Sequence, residues 1–114
     1  MPATIQTGAT FKENLQQLPP VDDLQRINLV DETGLIVASI ENQPGKQGSL
    51  AVYHFLKQSF GTLNTEAAEH GLLLFAEHTA DTRDRPGAHP NIDRLFAIAS
   101  GDAPLNIEII PANG

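Results

Sequence analysis

Histidines at positions 54, 70, 78 and 89 are the side chains of this sequence best suited to proton transfer or metal ligation, and two of them stand in the crowded stretch HTADTRDRPGAHPNID, residues 78–93. A metal centre needs three or four nitrogen, oxygen or sulfur ligands converging on one point. His70 and His78 are eight residues apart, a separation of about 12 Å along a helix, so they cannot share an ion. His78 falls on the apolar side of its segment and reads as a hydrogen-bonded core histidine. His89 and Asp93 are four apart, yet no H-E-x-x-H or H-x-E spacing completes a set around them. Folding can still gather His54, His89 and Asp93, and that trio defines the enzymatic alternative, a small hydrolase or lyase with or without a metal. Geometry must come first in naming such a catalyst.

Other reaction classes lack their residues. There is no cysteine, hence no disulfide, thiolate site or thiol nucleophile. No serine stands in G-x-S-x-G. The run PGKQGS, residues 44–49, resembles half of a phosphate loop, but neither G-x-x-x-x-G-K-[ST] nor G-x-G-x-x-G occurs. Backbone N–H groups ahead of Ser49 can hold an anion at a helix start. No cofactor is expected. The crowded stretch itself reads as a junction: Pro86, Gly87 and Pro90 end one helix and start another, Asp93 favours the N-terminal end of a helix dipole, and the arginines satisfy nearby acids.

Regular elements must carry these residues. TFKE at 10–13 makes a capping box, and Phe11, Leu15 and Leu18 follow at one-face spacing, predicting a helix over 11–18 stopped by Pro19-Pro20. Leu24–Val30 and Leu35–Glu41 are β-rich and flank the turn DETG, predicting a hairpin. Ser49 is the expected N-cap of a helix over 50–60 ended by Gly61, and Asn64 the cap of a longer helix from Thr65 to about Arg83. Pro90 opens another helix that runs to Gly101, and PLNIEII alternates as a final strand. The expected fold is therefore α+β: a small antiparallel sheet, made of the hairpin plus the C-terminal strand, packed with three to four helices. Residues 1–9 read as a flexible N-terminus and 10–114 as a single domain.

On a helical wheel the long helix sorts into two faces. Ala67, Ala68, Gly71, Leu72, Leu74, Phe75, His78 and Thr79 form the apolar stripe. Glu66, Glu69, Glu77, Asp81 and Asp84 align opposite, with Leu73 in their midst, a ridge of roughly 27 Å if the helix is unbroken. Lys and Arg are absent from the ridge, so repulsion goes unrelieved at a few tenths of a kcal/mol per pair. A solvated helix face explains charge opposite an apolar side, but carboxylates around an apolar spot also suit a cationic protein. Asp31 and Glu32 in the hairpin turn add a second acidic patch.

Fourteen acids against seven Lys and Arg give a net charge of −7, which repels nucleic acid and anionic lipid and favours cationic partners. Five Phe and one Tyr with few basic neighbours argue against direct nucleic-acid binding. No apolar window is long enough to span a membrane and the first residues lack a signal-peptide pattern, so the expectation is a soluble cytoplasmic protein without a membrane role. A hairpin edge left unpaired would instead suit an adaptor.

The segments ENQPGKQGSLAVYHFL, GLLLFAEHT and HPNIDRLFAI resemble a family of short bacterial proteins, domain of unknown function 2322, over most of residues 11–110. In size and acidity the chain is also similar to the small neisserial DNA mimics that bind the histone-like protein HU. That likeness implies a monomeric protein whose surface carboxylates stand in for DNA phosphates in the basic groove of a DNA-binding protein. In this chain the acidic residues expected to serve a non-enzymatic module of that kind, competing with DNA for a basic nucleoid protein, are Glu66, Glu69, Glu77, Asp81, Asp84, Asp31 and Glu32, with Leu73 among them.

Overall fold

The computed structural model describes residues 10–18, 20–44 and 46–112. The segment 1–9, expected to be flexible, and Pro19 of the expected Pro-Pro stop lie outside the described residues. The element order is α1 (Phe11–Leu15), β1 (Leu24–Val30), β2 (Ile36–Glu41), α2 (Gln47–Phe60), α3 (Thr65–Phe75), α4 (Glu77–Asp84), α5 (Pro90–Ala99) and β3 (Asn106–Pro111). The three strands form one antiparallel sheet in the order β2-β1-β3; α2 packs across all three strands, and the other helices build outward from α2 and α3. This is the α+β architecture expected from the patterning. No helix is long and apolar enough to cross a membrane among the described residues.

The hairpin forms where its turn chemistry requires. The Asp31 carboxylate accepts from the Thr33 and Leu35 backbone N–H groups at 2.9 and 3.0 Å and from the Thr33 hydroxyl, while Gly34 takes φ 91°. Ile27 and Leu29 of β1, Ile40 of β2 and Ile107 of β3 turn inward and join Leu50, Val52, Tyr53, Phe55 and Leu56 of α2 in one core. The opposite side of the sheet is polar. There Arg26 and Ser39 donate to the Asn28 side-chain carbonyl, and the Asn28 amide donates to Glu108.

Three expectations are corrected. The first helix ends at Leu15 rather than Leu18, and two tight turns, Gln17 N–H to Asn14 C=O and Leu18 N–H to Leu15 C=O, complete the segment. Ser49 is not an N-cap: α2 starts at Gln47 with Lys46 in the cap position and no side-chain cap bond. The largest correction is that the helix expected over 65–83 is two helices, broken at Ala76 with φ 49° and ψ −115°. The break holds because the carbonyls it orphans at the end of α3 find other donors. The buried Asn14 amide donates to Leu74 C=O at 2.9 Å, the Thr79 hydroxyl donates to Leu72 C=O at 2.5 Å, and Ala76 N–H donates to Leu73 C=O. Asn64 caps the other end of α3 as expected, accepting from Ala67 N–H at 2.9 Å.

Ala76 holds a backbone region in which only glycine is comfortable, at a strain of about 1–3 kcal/mol. Ala76→Gly is therefore expected to stabilise the fold by about 1 kcal/mol, read as a raised urea midpoint with an unchanged slope.

Candidate functional site

The break turns α4 toward α5 and leaves a cleft of about 770 Å³ bordered by α1, the β2 strand, the start of α2, the end of α3, His78 of α4, Ala88, His89, Pro90, Asn91, Ile92 and Arg94. Its floor is aromatic. The rings of Phe75 and Phe11 stack at 5.1 Å, Phe11 meets His78 edge-on at 5.1 Å, and His78 lies 5.7 Å from His89. Gly48 lets the start of α2 reach this floor, since a Cβ there would come within 2.8 Å of the Phe11 ring.

The permanently charged side chains of the cleft, Lys46 and Arg94, are both basic. Lys46, Arg94, His78 and His89 line the cleft with Ser39, Ser49, Asn91 and Gln47, and no Asp or Glu is among the lining residues. The N-terminal ends of α2 and α5 both face it, and neither is capped by a side chain. The start of α2 carries partial positive charge and unpaired N–H groups that reinforce the two cationic side chains, whereas at α5 Pro90 has no N–H, Ile92 N–H donates to His89 C=O and Asp93 stands in the first turn.

Arg94 sits on a platform built by the core. Its Nη1 donates to the Tyr53 hydroxyl at 3.2 Å and to the Asn91 side-chain carbonyl at 2.9 Å, and its guanidinium carbon lies 5.9 Å from the Tyr53 ring centre. Tyr53 is buried and donates to Asn91 C=O at 2.5 Å. Burial pushes the Tyr53 phenol up to about 12 against the opposing pull of Arg94. The phenol therefore stays neutral and supplies no counter-charge. Among the described residues Arg94 has no carboxylate partner, and its Nε and Nη2 make no hydrogen bond.

Arg85 shows the contrast. It grips Asp81 through Nε and Nη2 at 3.0 and 2.5 Å, and the same carboxylate meets His89 Nε2 at 2.7 Å. The Arg85 hydrogen bond foremost, and that from His89 next, hold the Asp81 carboxyl down at about 2. Asp93 accepts from Gly87 N–H at 3.0 Å, closing the bend between α4 and α5. The stretch over 78–93 is thus a junction whose charges pair locally, and it also supplies part of the cleft.

The enzymatic trio is not assembled here. The acid that His89 meets is Asp81 rather than Asp93, and His54 is not among the cleft residues. Burial lowers the His54 pKa, and its Nδ1 is enclosed without a partner. Among the described residues no group of three or more His, Asp or Glu could hold a metal ion. His78 is no core histidine but half-buried at the cleft.

The acidic ridge is divided between two helices. Glu66 and Glu69 stay exposed on α3 beside Leu73, which is 59% exposed. Glu77, Asp81 and Asp84 belong to α4. Glu77 accepts from Phe11 N–H at 2.6 Å, and hydrogen bonds to its own backbone N–H and to that of Phe11 lower its pKa. Asp81 has the i,i+4 arginine that the ridge seemed to lack, and Asp84 is exposed. In the hairpin turn Asp31 is spent on its own loop, its pKa lowered first by the Thr33 hydroxyl and then by Leu35 N–H, while Glu32 is exposed. Sequence reading missed Arg94, Asn91 and Lys46 as site residues. Only the PGKQGS run signalled the anion-friendly start of α2, and nothing local shows that Arg94 leans on Tyr53, 41 positions away.

A protein-family model described as "uncharacterized protein conserved in bacteria (DUF2322)" matches residues 11–109. No curated protein and no solved structure matches the chain.

The Asp81 carboxyl titrates below its ordinary 3.8, so its contribution to stability is complete above about pH 4 and is lost as pH falls toward about 2. The destabilisation caused by Asp81→Asn is expected to be larger at pH 5 than at pH 2 in urea melts. In an NMR titration Arg85→Ala is expected to move the Asp81 midpoint upward.

Proposed function

We propose that this chain, which belongs to the DUF2322 family of bacterial proteins, is a binding module whose cleft takes an anionic group joined to an apolar or aromatic body. The observation that carries this reading is Arg94, a half-buried arginine with no counter-ion among the described residues, at a concave wall with no carboxylate among its lining residues. A cation withdrawn from water is costly unless paired. In a chain with twice as many acids as bases, leaving one at a cleft favours an anion from outside. Its unused Nε and Nη2 form the edge that grips a carboxylate or phosphate with two parallel bonds. The rings of Phe11, Phe75 and His78 offer the apolar body a surface.

Phenyl phosphate, titrated into the isotope-labelled protein, is expected to shift the amides of Lys46–Ser49 and Asn91–Arg94 and to bind more tightly than inorganic phosphate. Arg94→Gln, which keeps a side-chain donor near Tyr53, should weaken binding about tenfold or more. Shifts elsewhere, or equal binding by the variant, would refute the reading.

A second reading, a DNA mimic that binds a basic nucleoid protein of the HU type, is favoured by the outer face of α3. There Glu66 and Glu69 flank exposed Leu73 on a helix with no Lys or Arg. Such a complex should form with HU at low salt, weaken steeply as salt rises and be displaced by duplex DNA. Glu66→Gln with Glu69→Gln is expected to reduce the salt slope. A complex indifferent to DNA would end this reading.

A further inference from the structure

We propose that the occupant of the cleft is the free C-terminus of an extended polypeptide, its carboxylate at Arg94 and Lys46 and its backbone paired with the open edge of β2. This rests on the anion reading above and adds what carries the anion.

The strand order β2-β1-β3 leaves the outer edge of β2 unpaired among the described residues. Asn42 N–H donates to Gln25 C=O, and Ile40 and Ala38 stand opposite Ile27 and Leu29. In an antiparallel ladder alternate residues face the neighbouring strand. Ile40 and Ala38 therefore direct their backbone groups at β1, while Ser39 directs its N–H and C=O outward; the outward Glu41 carbonyl already accepts from Gln43 N–H at 3.0 Å. Ser39 and Ile40 also line the cleft, so the free edge runs into the cationic wall. Toward the other end of the strand, Leu35, Ile36 and Val37 are 63%, 52% and 48% exposed.

One line along β2 thus offers apolar side chains, then unpaired backbone donors and acceptors, then positive charge. An extended peptide supplies the complement in the same order: apolar side chains, a polar backbone and a terminal carboxylate. Strand addition provides the backbone bonds, and capture of the terminus provides polarity. Because Lys46 and the α2 start follow β2 in the chain, the peptide runs parallel to β2. A small aromatic anion would satisfy Arg94 but leave Ser39 and the apolar trio unused.

The test pans two randomised heptapeptide libraries, one with free and one with amidated C-termini, against the full chain, with phenyl phosphate binding read in parallel. Only the free-acid library is expected to be enriched, with apolar residues at alternate positions, and amidating a selected peptide should weaken it at least tenfold. Ser39→Pro removes the outward N–H on an edge strand, where proline is tolerated, and should weaken the peptide at least tenfold while phenyl phosphate still binds. Ser39→Ala controls for the lost Asn28 bond and should bind normally. Ile36→Glu, which disturbs no core residue, should also weaken the peptide. Equal enrichment of the amidated library, no enrichment, or unaffected binding by Ser39→Pro and Ile36→Glu would overturn the inference while leaving the anion reading intact if phenyl phosphate binds. Loss of both ligands' binding in the parent protein would remove both. A dimer in sedimentation equilibrium that Ser39→Pro and Ile36→Glu each dissociate would assign that edge to self-association and overturn the inference.

Discussion

The end of α3 depends on finding donors for carbonyls that a continuous helix would have satisfied by itself. Asn14 reaches Leu74 C=O from α1 and Thr79 reaches Leu72 C=O from α4, so two flanking segments are tied to one helix terminus. An unpaired buried carbonyl would cost about 1–3 kcal/mol, which is enough to decide between a straight and a broken helix. Once Ala76 accepts its positive φ, α4 leaves the line of α3. Glu77 then caps the start of α1 through Phe11 N–H, His78 meets the Phe11 ring, and Asp81 meets His89. The cleft is the space that this redirection leaves between α1, β2 and the start of α5.

Charge is distributed in two ways around that space. Along α4 and its following bend, Glu77, Asp81 and Asp93 are engaged by Arg85, His89 and backbone N–H groups, while Asp84 stays exposed. Across the cleft the opposite holds. Arg94 is positioned by a neutral phenol and an amide, groups that orient a guanidinium without cancelling it. A net charge of −7 therefore says little about the concave surface, because the acids stand on outer helix faces and turns, whereas the cleft collects two cationic side chains and the start of α2. The acidic face of α3 and the cleft are separate surfaces, and no carboxylate of the expected ridge lines the cleft.

Much of the fold was legible because local rules agreed with each other. Alternation and an Asp-to-Gly turn marked the hairpin, and both strands fell within a residue of their expected limits. The division of the long helix was not legible. Ala76 is a strong helix former, no Gly or Pro marks the break, and the apolar stripe continues through Phe75 into His78 and Thr79. Those last two are placed for other reasons: Thr79 is buried with its hydroxyl serving α3, and His78 is half-buried with its ring edge-on to Phe11 at the cleft. The expected N-cap at Ser49 failed for a related reason, since Gln47 and Gly48 are carried into the helix without any side-chain cap.

The residue pattern by itself determined the class of the fold, the hairpin, the capped start of α3, the apolar residues that enter the core and the surplus of acid, because each follows from periodicity, turn chemistry or composition within a few positions. Which charges remain unpaired was decided only by tertiary structure. Arg85 and Arg94 look alike in the chain, and both have an aspartate nearby. The path of α4 gives one its acid, and the packing of α5 on Tyr53 keeps the other without one, since electrostatic pairing depends on distances that only the folded chain sets.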